Sequence, residues 1–311
     1  MTAIDKSGTA IDKPCVVVTG ASTGIGEISA EMLIAAGYFV FGSVRKAEDA
    51  ARLAQRFGAD FEALLFDVTD APAVQAGAAQ VATRLAGKTL KGLVNNAGVA
   101  FPGPLLHLPL DDLRKQLEVN VIGQLCATQA FAPLLGAGPQ RAGAPGRIVN
   151  MSSVAGSFAS PFLGAYAASK FALEGLSDAL RRELMLYGVD VIVIEPGVIS
   201  TPIWNKAEAT DFSGYEATDY AETARRVKKW AVDSGRNGAP AELVGAAVLR
   251  AVSELRPPAR IRVVPGYFAN WIVPRALPTR VIDWLIARRL GFHDALAARR
   301  KNRETSGNSK P

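Results

Sequence analysis

Short apolar runs alternate with longer amphipathic segments along most of this 311-residue chain. Each run holds three to six residues, is rich in Val, Ile, Leu or Phe, and is bounded by glycine, proline or polar residues. That pattern is typical of strands that are buried on both faces of a sheet. It predicts seven strands, at residues 15–18, 39–44, 61–66, 92–94, 147–151, 189–194 and 261–264.

The segments between these strands place apolar residues at helical spacing. They predict a helix that runs through residue 34, a helix that includes residue 166 near its start and runs through 186, and helices at 47–56, 71–85, 110–135 and 241–254. Strands that alternate with helices predict an α/β fold, in which a doubly wound, Rossmann-like parallel sheet carries helices on both faces. In such a sheet, ligands bind at the carboxyl ends of the strands.

A single domain, residues 14–265, accounts for this alternation. Residues 1–13 are polar and repeat the segment Thr-Ala-Ile-Asp-Lys, and we predict a flexible extension there. A polar stretch with interspersed aromatic residues, Trp204–Asn237, interrupts the alternation and predicts a lid over the strand ends, residues 202–240. Residues 266–311 form a C-terminal extension, and its end, from residue 302 on, is predicted to be disordered.

The first predicted strand opens directly into a glycine-rich turn, Gly20-Ala-Ser-Thr-Gly24-Ile-Gly26, and then into a helical pattern. Glycine lets the backbone approach a pyrophosphate closely, and the start of the following helix offers free N–H donors. The glycine spacing differs from the common Gly-x-Gly-x-x-Gly pattern. A dinucleotide phosphate site and a glycine turn without a ligand therefore fit this stretch equally well.

Arg45 follows the second predicted strand, and no Asp or Glu lies between Gly37 and Lys46. An NAD site usually has an acidic residue near the end of this strand for the ribose hydroxyls, whereas an arginine suits the 2′-phosphate of NADP. We therefore predict that NADP(H) is the preferred cofactor, with NAD(H) as the other candidate. An ordinary exposed surface charge is the alternative interpretation of Arg45.

Tyr166 and Lys170 stand four residues apart in a predicted helix, so their side chains share one face. A nearby ammonium favours the phenolate and moves the tyrosine pKa from about 10 toward neutrality, as a general acid/base requires. Ser153, just after a neighbouring predicted strand, is placed to hold the oxygen of a substrate alcohol or carbonyl. The alternative for the pair is an ordinary amphipathic face, and for Asn120 it is a hydrogen bond to nearby backbone.

Composition gives no support for metal, disulfide or histidine chemistry. Two cysteines and two histidines form no ligand cluster, so we expect no metal site. The net charge of +6 is a property of the tail, because twelve Lys or Arg against three Asp or Glu lie from Arg256 onward. A basic face for nucleic acid is therefore not indicated. The N-terminus has no signal-peptide pattern and no apolar run approaches a membrane span, so we expect a cytoplasmic protein.

Together these motifs resemble those of the short-chain dehydrogenase/reductase family, in its shorter, single-domain type. The resemblance covers residues 14–265, and the motifs occur in the family's order. They are Thr19-Gly20-x-x-x-Gly24-x-Gly26, Asn95-Asn96-Ala97-Gly98, Asn120, Ser153, Tyr166-x-x-x-Lys170 and Pro196-Gly197.

The resemblance implies hydride transfer between nicotinamide and the carbon that bears the substrate oxygen. It implies that Tyr166 is the acid/base, that Ser153 holds the substrate oxygen, and that Lys170 lowers the tyrosine pKa and binds the nicotinamide ribose. Asn120 would hold a water that relays protons to Lys170. The implied cofactor contacts are Gly20, Ser22, Thr23, Gly24, Ile25, Gly26, Arg45, Asp67, Val68, Asn95, Ala97, Gly98, Tyr166, Lys170, Pro196, Gly197, Val198 and Thr201.

Within the family, the chain is most similar to the hydroxysteroid and retinol dehydrogenase branch, through Gly37-Tyr-x-Val-Phe41, Arg45 and the arginine-rich C-terminal segment. That branch and the aromatic residues of the predicted lid imply a small hydrophobic alcohol or ketone as the substrate, steroid-, retinoid- or lipid-like. The helices at 110–135 and 166–186 resemble the pair of helices through which this family forms dimers. This resemblance implies a homodimer or homotetramer. The C-terminal segment is expected to cap the site or join an oligomer contact, with peripheral membrane contact as the alternative.

Two further functions remain open. An NADP-sensing binding protein would keep the fold without the reaction, although family members of that kind typically lack the tyrosine or the lysine. A sugar-nucleotide epimerase shares the Tyr/Lys pair, but it normally has a larger substrate domain than the residues after Thr201 provide.

Overall fold

The structure is a computed structural model that describes residues 11–138, 141–267, 271–293 and 296. Its centre is one parallel sheet of seven strands in the order β3-β2-β1-β4-β5-β6-β9. This single-domain, Rossmann-like architecture confirms the predicted fold class. The seven strands are β1 Cys15–Val18, β2 Phe39–Val44, β3 Phe61–Leu65, β4 Gly92–Asn95, β5 Arg147–Met151, β6 Asp190–Pro196 and β9 Arg260–Val263.

Helices cover both faces of the sheet. The order of the strands reverses direction between β1 and β4, which is where doubly wound sheets open a crevice for a ligand. The helices are α1 Gly24–Ala35, α2 Ala47–Phe57, α3 Ala71–Leu85, α4 Leu110–Leu117, α5 Gly123–Phe131, α6 Gly164–Glu183, α7 Ile203–Ala209, α8 Ala221–Arg236, α9 Ala241–Ser253, α10 Val273–Ala276 and α11 Thr279–Leu290.

Two apolar layers hold the sheet, and β1 shows how alternation along a strand builds them. Val16 and Val18 pack into one layer with residues of α1 and α9, whereas Cys15 and Val17 pack into the other with residues of α3 and α5. All four side chains are buried, so the strand has no polar face. This is why the strands read as continuous apolar runs rather than alternating ones.

The helix predicted at residues 110–135 is continuous in the structure, but it is not α-helical throughout. The structure divides it into α4, a π-helical turn at Glu118–Ile122, α5, and a 3₁₀ turn at Ala132–Leu135. A side chain at Gly123 would meet Val68 at 2.7 Å, so this part of the segment lies directly against the end of β3. Such close packing and the hydrogen bonds of Asn120 fix a local geometry that the apolar pattern does not reveal.

The first described residue, Ile11, is buried in the layer that contains α3, and its N–H reaches the carbonyl of Arg84 at 3.5 Å. The packed chain therefore begins before the boundary predicted at residue 14, because this apolar side chain finds a buried place. The predicted flexibility of residues 1–10 and the predicted disorder from residue 302 on concern residues outside the described ranges.

The segment predicted to be a lid contains α7 and α8, and it is bounded by two short strands. These strands, β7 Ile199–Ser200 and β8 Ala239–Pro240, pair with each other in parallel, so the insertion leaves and rejoins the domain at one place. Among the described residues, no helix is both long and apolar enough to cross a membrane.

Candidate active site

The glycine-rich turn after β1 has the geometry that close backbone approach requires. Gly20 and Gly24 have positive φ angles, 65° and 60°, which favour glycine over other residues. A side chain at Gly26 would collide with the carbonyl of Gly20 and with the amide of Asn96. Thr23, at the start of α1, makes no side-chain capping hydrogen bond. The first N–H groups of α1 therefore face the concave turn, which fits a dinucleotide phosphate.

A polar scaffold that joins two of the predicted motifs holds this turn. The hydroxyl of Thr19 accepts hydrogen bonds from the N–H groups of Asn96 and Ala97, at 2.9 and 3.0 Å. The side-chain amide of Asn96 donates to the carbonyls of Thr19 and Gly20, at 3.0 and 3.1 Å, and Gly20 N–H donates to Ser43 Oγ at 3.0 Å. The turn and the Asn-Asn-Ala-Gly segment are thus one rigid unit.

Asn95, one of the predicted cofactor residues, has its side chain inside the molecule. It is fully buried, and its amide nitrogen donates to Thr128 and Asn150, both at 2.9 Å. Asn150 in turn donates to Ser177 of α6 at 2.9 Å. The Asn95 side chain therefore joins β4 to β5 and α5, and Asn96 is the residue of the pair that contacts the glycine turn.

Arg45 lies at the end of β2, with an exposed side chain that points toward the end of β3. Its guanidinium is 3.6 Å from the carboxylate of Asp67. Burial acts to raise the pKa of Asp67, but hydrogen bonds from Thr69 and the charge of Arg45 outweigh it, and the net direction is downward. The next residue, Val68, is buried. Arg45, Asp67 and Val68 thus meet on the β2–β3 side of the crevice, where the adenosine end of a dinucleotide would lie.

Ser153 follows β5 and caps a short 3₁₀ turn, Val154–Gly156. Its hydroxyl accepts a hydrogen bond from Ala155 N–H at 3.1 Å and lies 3.4 Å from the carbonyl of Pro196, to which it donates. It also makes a hydrogen bond with Tyr166, which acts to lower the pKa of that tyrosine. The structure thus brings together the two side chains that are expected to act on the substrate oxygen.

Tyr166 and Lys170 share one face of α6, as their spacing predicts. The ammonium of Lys170 lies 5.6 Å from the centre of the Tyr166 ring and donates to the carbonyl of Met151 at 2.7 Å. Lys170 is buried, and burial lowers its pKa to about 8, while the charge of Glu174 acts in the opposite direction. A buried lysine of this kind is close to its titration range at neutral pH.

The lowering of the tyrosine pKa that Lys170 is expected to cause remains a prediction. Burial raises the pKa of Tyr166 above its ordinary value, and the hydrogen bond with Ser153 offsets this only in part. The physical reason is that desolvation of the phenolate outweighs the effect of the hydrogen bond with Ser153. Tyr166 therefore carries its proton at neutral pH, the form that a proton donor needs.

Asn120 is fully buried in the π-helical turn, where it makes the backbone contacts expected of an ordinary buried asparagine. Its oxygen accepts from Val99 N–H at 2.9 Å, and its nitrogen donates to the Val99 carbonyl and to Ser169 Oγ, at 3.0 and 3.1 Å. Ser169 lies beside Lys170 on α6. Asn120 therefore links the segment after Gly98 to α6, and its role in a proton relay remains a prediction.

The residues after β6 close the other side of the crevice. Gly197 N–H donates to the carbonyl of Val263 at 2.9 Å, and the Val198 carbonyl accepts from Ala239 N–H at 2.9 Å. A side chain at Gly24 would come within 3.5 Å of Thr201, so this segment lies against the glycine turn. The predicted contacts at 196–201 and at 20–26 therefore face one another.

A charged cavity of about 330 Å³ lies behind the Ser153 turn, and the sequence analysis did not predict it. Arg260 contacts Glu174 at 3.1 Å and Glu195 at 3.4 Å, and Arg262 contacts Glu195 at 2.9 Å. Burial raises the pKa of Glu195, and the charge of Glu174 adds to that effect. In a sequence, charged residues at strand ends and on one face of a helix predict an exposed surface. The cavity forms only because the C-terminal segment packs over these residues, and the sequence does not predict that packing.

Trp271 fixes the C-terminal segment to this cavity. The guanidinium groups of Arg262 and Arg275 lie 4.9 and 3.5 Å from the centre of its ring, and the tryptophan is buried. Arg275 also donates to the carbonyl of Ser157 at 3.0 Å. The C-terminal segment therefore holds the turn that follows Ser153.

An aromatic cluster joins the segment before Tyr166 to α8. Tyr220 lies edge-on to Phe162 at 5.9 Å and to His107 at 5.7 Å. Phe162 has a positive φ of 66°. Within the described ranges, no group of His, Cys, Asp or Glu side chains has the arrangement of a metal site. The site therefore combines an apolar side, formed by α8, with a polar side at the strand ends.

Comparisons with known proteins agree with this geometry. A family model described as short chain dehydrogenase matches residues 14–211. An NADPH-dependent 3-dehydrocapnine reductase of Ornithobacterium rhinotracheale is 42% identical over 267 residues, which cover 86% of this chain and 94% of the relative. A 3-ketodihydrosphingosine reductase of Bacteroides thetaiotaomicron is 31% identical, over 80% of this chain and 87% of the relative.

Retinol dehydrogenase 5 of Mus musculus is 33% identical, over 88% of this chain and 89% of the relative. A crystal structure of a short chain dehydrogenase/reductase from Burkholderia phymatum in complex with NAD has a TM-score of 0.72 and 25% identity, over 86% of this chain and 94% of that one. The chain belongs to the short-chain dehydrogenase/reductase family, which confirms the predicted resemblance. It is an NAD(P)-dependent oxidoreductase that acts on CH–OH or C=O groups.

Proposed function

We propose that this protein reduces the keto group of a lipid-like ketone to a secondary alcohol, with NADPH as the preferred reductant. The observation that carries the proposal is the arrangement of Ser153, Tyr166 and Lys170 beside the glycine turn. Tyr166 holds its proton at neutral pH because burial raises its pKa, and a protonated phenol is the form that donates to a ketone oxygen.

The chain's own residues supply the proton and the alignment. The hydroxyls of Ser153 and Tyr166 lie close together. A substrate carbonyl oxygen that reached both would accept a hydrogen bond from each, in place of the contacts that they make with each other and with Pro196. When bound, NADPH would supply the hydride to the carbonyl carbon. The Tyr166 O–H bond breaks as its proton passes to the oxygen, which leaves an alcohol and a phenolate. The ammonium of Lys170 lies under the ring and stabilises that phenolate until the tyrosine regains a proton.

The substrate class is supported by the surroundings of the site and by the relatives. Phe162, Tyr220 and α8 form an apolar side next to the segment that carries Tyr166. Two of the relatives are named for reducing the 3-keto compounds 3-dehydrocapnine and 3-ketodihydrosphingosine, and a third is named a retinol dehydrogenase. A long-chain keto lipid is the substrate that fits an apolar side opposite a polar proton donor.

A substitution at Tyr166 tests the reaction. Tyr166→Phe should still bind NADPH, measured by the change in nicotinamide fluorescence, but ketone reduction should fall by about 10²- to 10⁴-fold because the proton donor is gone. Tyr187→Phe, an exposed tyrosine beyond the end of the same helix, is the matched control and should keep full activity. Unchanged turnover in Tyr166→Phe would refute the assignment, and a protein that binds NADPH but reduces no ketone even in its natural form would refute the proposed function.

Arg45 is proposed to read the 2′-phosphate of NADPH. Arg45→Asp should lower the ratio of kcat/KM with NADPH to kcat/KM with NADH by about tenfold or more, because one charge-assisted contact is lost and a repulsive charge is gained. The neighbouring Lys46→Asp is the control, since it changes the same net charge from an exposed position. An equal effect of both substitutions would mean that Arg45 acts only through the general electrostatic field.

A further inference from the structure

The C-terminal helix α11 has an apolar face that the folded chain leaves exposed. Val281, Trp284 and Leu285 are 40%, 49% and 44% exposed, and they follow the i, i+3, i+4 spacing of one helical face. Arg288 continues that spacing, and its guanidinium lies 5.5 Å from the centre of the Trp284 ring. We call the surface formed by these four residues the outer face.

The opposite side of α11 accounts for the packing of the helix on the protein. Leu290 and Phe292 pack against Phe162 and Val227, which belong to the apolar cluster beside the lid. Arg289 lies over the ring of Trp230 of α8 at 5.2 Å. A helix that buries one apolar side in the fold needs no second apolar side for its own stability, so the outer face requires a separate explanation.

The neighbourhood of the outer face is both apolar and basic. Ile272, Val273 and Leu277, in and beside the preceding helix α10, are exposed as well. Arg280 flanks Val281 and Trp284, whereas the single acidic residue of α11, Asp283, lies outside the spacing that defines the outer face. The sequence after the described helix adds further basic residues and one glutamate between 299 and 311.

The apolar and basic side chains of this surface favour one kind of partner. Large apolar side chains with a tryptophan, flanked by arginines, suit the boundary between lipid headgroups and acyl chains when the headgroups are anionic. A second copy of this chain fits less well, because a twofold contact would place the arginines of both outer faces against each other without acidic partners. Charge complementarity therefore favours a lipid surface over self-association.

We propose that the outer face of α11 docks the protein peripherally on an anionic lipid surface. Trp284 and Leu285 enter the headgroup region, and Arg280 and Arg288 contact lipid phosphates. The inner side of the same helix packs on α8, so docking places the lid next to the membrane. The proposal stands on the exposed residues of α11, and its test does not depend on the identity of the substrate.

Co-sedimentation of the full chain with lipid vesicles tests the proposal. The natural protein should sediment with vesicles of phosphatidylcholine mixed with phosphatidylglycerol, and much less with phosphatidylcholine alone. Trp284→Ser/Leu285→Ser should weaken binding by about tenfold or more, because two buried apolar anchors are lost. Arg280→Glu/Arg288→Glu should weaken it at least as much at low salt, and less at high salt, where charges are screened.

Leu243→Ser/Leu255→Ser is the matched control, because both leucines are exposed but lie elsewhere, on α9 and just after it. This variant should bind vesicles as the natural protein does. Thermal unfolding midpoints and light-scattering masses verify that every variant keeps its fold and its oligomeric state. The proposal is overturned if the natural protein does not sediment with anionic vesicles, if it binds neutral vesicles equally, or if the control loses as much binding. A lower mass of Trp284→Ser/Leu285→Ser would assign the outer face to a second copy and would overturn it too.

Discussion

Glu174 lies one helical turn beyond Lys170 on α6, and the two residues set the charge behind the proton donor. Burial lowers the pKa of Lys170 to about 8, and the negative charge of Glu174 keeps it from falling further. One oxygen of Glu174 is held by Arg260 at 3.1 Å, and the other is buried without a hydrogen-bond partner among the described residues. Glu174 is therefore a positioning residue for the lysine, although it does not touch the reacting atoms.

Removal of the Glu174 charge should shift the pH dependence of ketone reduction. Glu174→Gln lowers the pKa of Lys170, so the lysine loses its proton at a lower pH and kcat/KM should begin to fall at a lower pH than in the natural protein. Asp178→Asn is the control, since Asp178 also binds Arg260 but lies a further turn away. Identical pH profiles for Glu174→Gln and the natural protein, measured between neutral and alkaline pH, would contradict this role.

The residues of the site show what spacing can and cannot predict. The Tyr166–Lys170 pair and Ser153 follow from spacing and from positions after predicted strands, and the structure brings them together. The direction of the tyrosine pKa shift does not follow, because it depends on burial. The adjacent Asn95 and Asn96 are equivalent in sequence, yet one joins the core and the other ties the glycine turn. The two asparagines differ only in the direction in which each side chain leaves the end of β4, and the folded structure is needed to show it.

At the scale of elements, the π-helical turn at Glu118–Ile122 is a detail of the helix at 110–135 that the continuous apolar pattern does not predict. The pattern over residues 110–135 is helical throughout, and π turns leave no mark in it. Within the turn, the side-chain amide of Asn120 makes hydrogen bonds with both the N–H and the carbonyl of Val99. Such tertiary contacts leave no periodic signal, and π turns of this kind are frequent at functional sites.

The clamp on Trp271 ties the C-terminal segment to the turn that follows Ser153. Two arginines lie over the tryptophan ring, and one of them, Arg275, also holds the carbonyl of Ser157. Cation–π contacts at such partly buried positions contribute about 1–2 kcal/mol each. The segment from residue 271 onward therefore supports the turn that positions Ser153.

Loss of this clamp should loosen the segment and weaken catalysis. In Trp271→Ala, local opening becomes easier, so limited proteolysis of the C-terminal segment should accelerate and kcat/KM should fall by about tenfold. Trp284→Ala removes a tryptophan of the same segment that is 49% exposed, and it should leave the soluble-assay activity unchanged. If both variants behave alike, the effect of Trp271 is not specific to the clamp.

At the scale of the molecule, we infer that the protein forms a homo-oligomer through α4, the π-helical turn and α6. Leu110, Ile122 and Phe171 on these elements are 65%, 52% and 48% exposed. Exposed large apolar side chains on neighbouring helices are typical of a surface that a second copy covers.

A charged substitution on that surface should separate the copies. Ile122→Glu/Phe171→Glu should lower the mass measured by light scattering about twofold or more, because each copy would bury two carboxylates against apolar groups. Leu255→Glu, at an exposed position elsewhere, should keep the natural mass. A natural protein that is monomeric at all concentrations would contradict the inference.

The fold itself was almost fully predictable, since all seven strands of the main sheet lie within one or two residues of their predicted positions. Buried parallel strands are short, apolar and sharply bounded, so their pattern is strong. The short pair β7–β8 and the helices α7 and α8 were not predicted, because the polar insertion depends on contacts such as Trp204 Nε1 donating to the Ile199 carbonyl at 2.7 Å. Side-chain contacts of this kind leave no periodic signal.

The burial of Lys170 also affects the stability of the whole chain. Its pKa is about 8 in the folded protein and 10.5 in its ordinary state, so the fold holds the charged lysine at a free-energy cost of about 3 kcal/mol. That cost is fully present below pH 8 and disappears as the pH rises toward 10.5, because the unfolded chain then binds more protons than the folded one. The protein therefore gains folding stability over the same alkaline range in which Lys170 loses its charge.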